Sequence, residues 1–266
     1  METSNTKLTN AINFLLFSYF GITLKSEPDD VMDKAISKAY NDATRQGAFN
    51  TQLTYELKEK IEKVKNSSGD KENNLGENLI KENVLALINT SHKNIDKEYF
   101  NSWHCSLCHK LINCYETALE SDEYFTYGNA QKWVNMTMKY LYLIYSIFSV
   151  YAKSNNKFVD SCGEHINKIS KFLHVPVDSY IIESVWDNES IKLPLNKEKL
   201  CKNGKRGVYN SEKVVAWSKW RNENGEYYEF QNTLNDFINK EYKLTPIDWE
   251  GPAWIDVAIK RKEKNK

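Results

Sequence analysis

The chain has no excess charge of either sign: lysine plus arginine and aspartate plus glutamate both number 36 in 266 residues. A uniformly basic nucleic-acid coat and an acidic solvating chain are both excluded for the molecule as a whole. Alternating polar and apolar runs of useful length are missing, which excludes a sheet of any size. No internal repeat is present, so a solenoid is excluded. The longest apolar run near the start, Ile12 to Ile22, is broken by Asn13 and Ser18 and is too short to cross a bilayer. No secretory signal is legible, since Met1–Asn10 is polar and carries Glu2. The five cysteines, an odd number at 105, 108, 114, 162 and 201, then read as reduced thiols. A cytoplasmic monomer away from membranes is the expectation.

What is present is enough apolar and aromatic material for a substantial core, with 16 Tyr and 7 Trp. Helical periodicity runs through most of the chain. It predicts helices over 8–20, 31–45 (capped by Asp29), 53–64, 80–87, 98–121, 130–151, 163–172, 179–186, 226–241 and 253–261. Residues 66–77, NSSGDKENNLGE, are poor in apolar side chains and read as an exposed polar loop. The fold class is all-α. Residues 1–95 form an N-terminal helical region, which can be a lobe of the same domain, and 96–266 form the main helical domain. Charge is unevenly spread: 191–221 holds nine basic residues against Glu198 and Glu212, and the tail 260–266 holds five against Glu263. The rest of the molecule is correspondingly acidic.

Two short segments carry the chemistry. Tyr127-Gly128-Asn129-Ala130-Gln131-Lys132-Trp133 places a lysine just past a glycine, at the start of a strong helix. His174-Val175-Pro176-Val177-Asp178 places an aspartate at the N-cap of another, because proline forces the residue before it out of helical geometry. An amine and a carboxylate at two helix N-termini are the minimum parts for displacing a group from a sugar C1′ through a Schiff base. Lys139 is a rival for the amine, but it lies two turns deeper with no turn before it.

Read together, these segments resemble the helix-hairpin-helix DNA glycosylases, in particular the 8-oxoguanine branch in its archaeal form and its uncharacterised bacterial relatives. The resemblance covers about residues 98–186. It extends loosely to Trp217-Ser218-Lys219-Trp220, Phe230-Gln231 and Asp248-Trp249-Glu250, and leaves the first 95 residues unexplained. It implies a helix-hairpin-helix glycosylase-like helical globule that excises an oxidised or otherwise modified base from DNA, with AP-lyase activity. Lys132 would be the nucleophile and Asp178 would stabilise the cationic sugar. Gly128, Asn129 and Gln131 would turn backbone N–H groups toward a phosphate, aided by Lys205, Arg206 and Lys219 of the basic segment. Trp133, His174, Trp217, Trp220 and Phe230 would supply a base pocket or a wedge. In place of a second hairpin glycine stands Ala130. No four-cysteine loop follows Asp178, so no iron–sulfur cofactor is expected.

Cys105-Ser-Leu-Cys108-His109, next to His104, has a spacing used for haem and zinc, but the cysteines share an apolar helical stripe with Trp103 and Leu107. No metal or other cofactor is expected there. Two other functions fit the same residues. One is an N-glycosidase acting on a modified nucleoside or a phage-modified base, which the balanced charge favours. The other is a non-catalytic helical interaction module, for instance in phage defence, with Lys132 and Asp178 as scaffold.

Overall fold

The computed structural model describes residues 2–43, 75–116, 125–152, 155–187, 201–202, 205–211 and 213–264. The first two helices are α1 (Glu2–Phe20) and α2 (Pro28–Ala43). Pro28 opens α2, Asp29 and Asp30 occupy its first turn, and Val31, Met32, Ala35, Ile36 and Ala39 bury one stripe. Next come α3 (Leu75–Asn89) and α4 (Lys97–Glu116). Asp96 begins α4, its carboxylate accepting from Tyr99 N at 2.8 Å. Phe100, His104, Leu107, Cys108 and Leu111 are the inner face of α4. The long central helix is α5 (Tyr127–Tyr151). A π turn (Val159–Gly163), α6 (Glu164–Ile169) and a 3-10 turn (Ser170–Phe172) lead into a stretch without regular structure and α7 (Ser179–Asp187).

Beyond α7 lie two small hairpins. Strands β1 (Cys201–Lys202) and β2 (Lys205–Arg206) pair antiparallel, with Cys201 opposite Arg206. Strands β3 (Val208–Asn210) and β4 (Lys213–Val215) do likewise, with Tyr209 opposite Val214. A 3-10 turn (Trp217–Lys219), α8 (Glu226–Glu241) and α9 (Pro246–Lys264) complete the chain.

The all-α class holds, with these short ribbons as its only described strands. They escaped the sequence reading because two or three residues cannot display a period of two. Gly207 joins the ribbons where a Cβ would fall 2.1 Å from the Val215 carbonyl oxygen, so glycine there permits backbone contact. Several boundaries differ from expectation. Residues 75–77, expected in the polar loop, begin α3, and α3 extends past the expected 80–87 at both ends. The last helix starts at Pro246 and runs through Pro252. A proline there forgoes one helical hydrogen bond, and packing against α7 carries the helix past it. The expected helix at 53–64, loop residues 66–74 and the ends of the helices expected at 31–45 and 98–121 lie outside the described residues.

One hydrophobic cluster runs from Leu16 to Trp249, and α5 is its spine. Helices α2 and α4 flank α5, and the Trp217–Lys219 turn lies across its N-terminal end. The N-terminal helices are stitched to the spine: Trp133 Nε1 donates to the Ile36 carbonyl at 3.1 Å, and the rings of Tyr40 and Trp133 meet at 4.9 Å. On α1, Phe14, Leu15 and Phe17 remain largely exposed. Among the described residues, no helix is long and apolar enough to cross a membrane.

Candidate functional site

Lys132 lies in the second turn of α5, whose start is fixed by Thr126. The Thr126 hydroxyl accepts from Asn129 N at 3.2 Å, and the Asn129 side chain reaches back to Thr126 N at 3.1 Å. This reciprocal capping box sets the angle at which α5 begins. Gly128 and Asn129 are thus inside the first turn of α5, not in a turn before it. The Gly128 N–H donates to the Trp220 carbonyl at 2.8 Å, so the N–H groups expected to face a phosphate are already engaged. A Cβ on Gly128 would fall 1.9 Å from the Trp217 carbonyl oxygen; glycine is needed here so that the 217–220 segment can lie on the helix start.

Asp178 follows a run without regular structure through Val175, Pro176 and Val177 and caps α7. Its Oδ1 accepts from Tyr180 N at 2.9 Å and Ile181 N at 3.0 Å, while Oδ2 accepts from Lys132 Nζ at 2.7 Å. One oxygen therefore serves the helix and the other the ammonium. Burial disfavours the ionised carboxyl, but the Lys132 charge and the three hydrogen bonds outweigh it and hold Asp178 below the usual carboxylate range. The side chains are only 4% and 5% exposed, so the pair is sealed in this conformation. The Trp217 ring, centred 5.9 Å from Nζ, is part of the seal.

Gln131 ties the two elements together. Its Nε2 donates to the carbonyls of Gly128 (3.0 Å) and Val177 (3.2 Å), and its Oε1 accepts from Asn135 Nδ2 (2.9 Å) and Val177 N (3.4 Å). It sits between Lys132 and the residue before Asp178, as a buried brace rather than a phosphate contact.

Behind the brace is a polar network within the core. His174 joins Tyr227 OH at Nδ1 (3.0 Å) and Asn101 Oδ1 at Nε2 (2.8 Å). His104 joins Tyr228 OH (3.0 Å) and Asn135 Oδ1 (2.9 Å), and Tyr228 OH meets Tyr127 OH. Burial, with the neighbouring Lys97 charge adding to it, pushes His174 well below its ordinary value. Burial also brings His104 down to about 3, against the opposing Asn135 hydrogen bond. Both imidazoles are therefore neutral.

Of the expected pocket and wedge residues, Trp133, Trp220 and Phe230 are each 1% exposed and packed in the core. Sequence could not separate them from surface aromatics, because a tryptophan at helical spacing reads the same in either role. His174 is a network member. Only Trp217 stands against the pair. Lys219 and Arg206 are exposed, and the Lys205 backbone pairs with Lys202. Lys139 is held by Glu250, whose side chain is 2% exposed. The Cys105–His109 stretch lies on α4 with Cys108 buried, and no group of three His, Cys, Asp or Glu among the described residues is arranged to hold a metal ion.

The sequence reading missed the surroundings of Asp178 on the solvent side. Tyr180 stacks on Trp254 at 4.5 Å and 20°, and the Arg261 guanidinium lies 3.9 Å from the Tyr180 ring centre. Glu183 holds both Arg261 (2.8 Å) and Arg206 (3.6 Å). The only available signal was that Tyr180 and Glu183 follow Asp178 within five residues. Comparison with protein families, with curated proteins and with solved structures finds no match for this chain.

Proposed function

We propose that this protein is a DNA N-glycosylase with lyase activity, in which Lys132 attacks C1′ of a modified nucleotide. The observation that carries the reading is the 2.7 Å contact between Lys132 Nζ and Asp178 Oδ2, made by residues 46 positions apart at two helix starts. In the reaction the C1′–N bond to the base breaks as the C1′–Nζ bond forms. The base leaves with the bonding electrons and takes up a proton, and ring opening gives an iminium on Nζ. Asp178, kept ionised beside Nζ, is placed to stabilise the cationic sugar as it forms, while the proton given up by the Lys132 ammonium goes to the departing base. Since the pair is sealed, entry of a nucleotide requires the Trp217 side chain to leave its place over Nζ.

The test is borohydride trapping on DNA carrying a panel of oxidised and otherwise modified bases, with free modified nucleosides in parallel. A covalent adduct is expected with the native chain and none with Lys132→Gln, with circular dichroism showing that the variant folds. An adduct that survives Lys132→Gln sinks the assignment. A second reading, a non-catalytic interaction module, is favoured by the sealing of the pair: a buried lysine and aspartate paired to each other also suit a scaffold role. No adduct across the whole panel, with activity in cells intact in Lys132→Gln, would establish that second reading.

A further inference from the structure

One arginine from each of the two basic segments, far apart in sequence, comes to the same place near Asp178. Arg206 on β2 and Arg261 on α9 reach the same carboxylate, Glu183 on α7. Glu183 is 13% exposed and acts as a fixed anchor, while the two arginine side chains stand at the rim, 39% and 32% exposed. Arg261 is braced further by Ser179, donating to its carbonyl at 3.1 Å. Lys260 and Lys264, one helical turn apart and both exposed, continue the positive charge beside Arg261. Aromatic rings back the cations: Trp186 lies 5.8 Å from the Arg206 guanidinium, and the half-buried Tyr180–Trp254 stack lies under Arg261. A positive rim over flat rings is what a sugar–phosphate chain with an unpaired base requires. Outside the two basic segments the sequence carries net negative charge, which favours this side for an anionic chain.

We infer that the face made by the β1–β2 hairpin, α7 and the end of α9 binds the backbone of the DNA strand that carries the target nucleotide. The inference rests on the glycosylase reading for its partner and assigns that partner a surface. Arg206, Lys260 and Lys264 meet phosphates, Arg261 and Glu183 hold the rim in shape, and the Tyr180–Trp254 stack receives a base.

The experiment measures binding of the full chain to a short DNA duplex containing an abasic-site analogue, over a series of salt concentrations. Each phosphate contact contributes about −0.9 to the slope of log K against log salt. The triple variant Arg206→Gln, Lys260→Gln, Lys264→Gln is expected to lose about two to three from the magnitude of that slope. Lys157→Gln, an exposed lysine paired with Glu27 on α2's side of the molecule, should leave it unchanged. Tyr180→Ala should weaken binding while keeping the slope. An unchanged slope in the triple variant overturns the assigned surface and leaves the lysine chemistry to its own trapping assay. Absence of DNA binding even at low salt also overturns it, and the nucleoside arm of the trapping assay then decides the glycosylase reading.

Discussion

Lys132 and Asp178 are costly to leave single and cheap to neutralise together. Lys132→Met leaves a buried carboxylate without its cation, which costs about 3–5 kcal/mol. Adding Asp178→Asn removes that charge and retains an oxygen for the Tyr180 and Ile181 N–H groups, since asparagine caps helices about as well as aspartate. The double variant should recover most of the loss, and urea unfolding of the four-member cycle measures the coupling. Both residues were legible in the sequence, because glycine before a helix and proline before a cap are local signals. Their burial was not legible, because it depends on Trp217, which arrives from a remote part of the chain.

The start of α5 is the element on which the site's closure depends. Three features hold the 217–220 segment there: the Gly128 N–H on the Trp220 carbonyl, the Thr126 hydroxyl donating to the Ser218 carbonyl at 2.6 Å, and the missing Cβ of Gly128. Gly128→Ala should push the segment off the helix, destabilising the fold by about 1–3 kcal/mol, as overpacking does. Thr126→Ala should cost about 1 kcal/mol through loss of the cap. In both variants limited proteolysis near Trp217 should accelerate relative to the native chain. The sequence placed Gly128 in a turn ahead of the helix, whereas its purpose is a tertiary approach that no local pattern records. Helices such as α2, α4 and α8 were legible because their buried faces recur every three to four residues. The hairpins and the passage through Pro252 were not, since partners distant in sequence decide them.

For the whole molecule, the buried imidazoles set the acid limit. An unfolded histidine takes a proton near its ordinary 6.5, whereas folded His104 does so only at about 3 and His174 well below its ordinary value. Between those values the unfolded chain binds more protons, so stability is full above about 6.5 and falls as pH drops, by about 1.4 kcal/mol per pH unit for each histidine. Asp178, held below its ordinary 3.8, adds to the loss only at still lower pH. Unfolding free energies measured from pH 7 to 4.5 should show this slope, and His104→Gln should flatten it by about half. The overall class and the uneven charge were evident from composition and periodicity; that Glu183 holds an arginine from each basic segment was not. The stitching of α2 to the central helix through Trp133 has a practical corollary for anyone dividing the chain. A fragment beginning at residue 96 would leave the indole N–H without the Ile36 carbonyl and lay bare the apolar flank of α5 to water. Expressed alone, such a piece should accumulate in inclusion bodies, and co-expression of residues 1–95 as a separate polypeptide should bring it back into the supernatant.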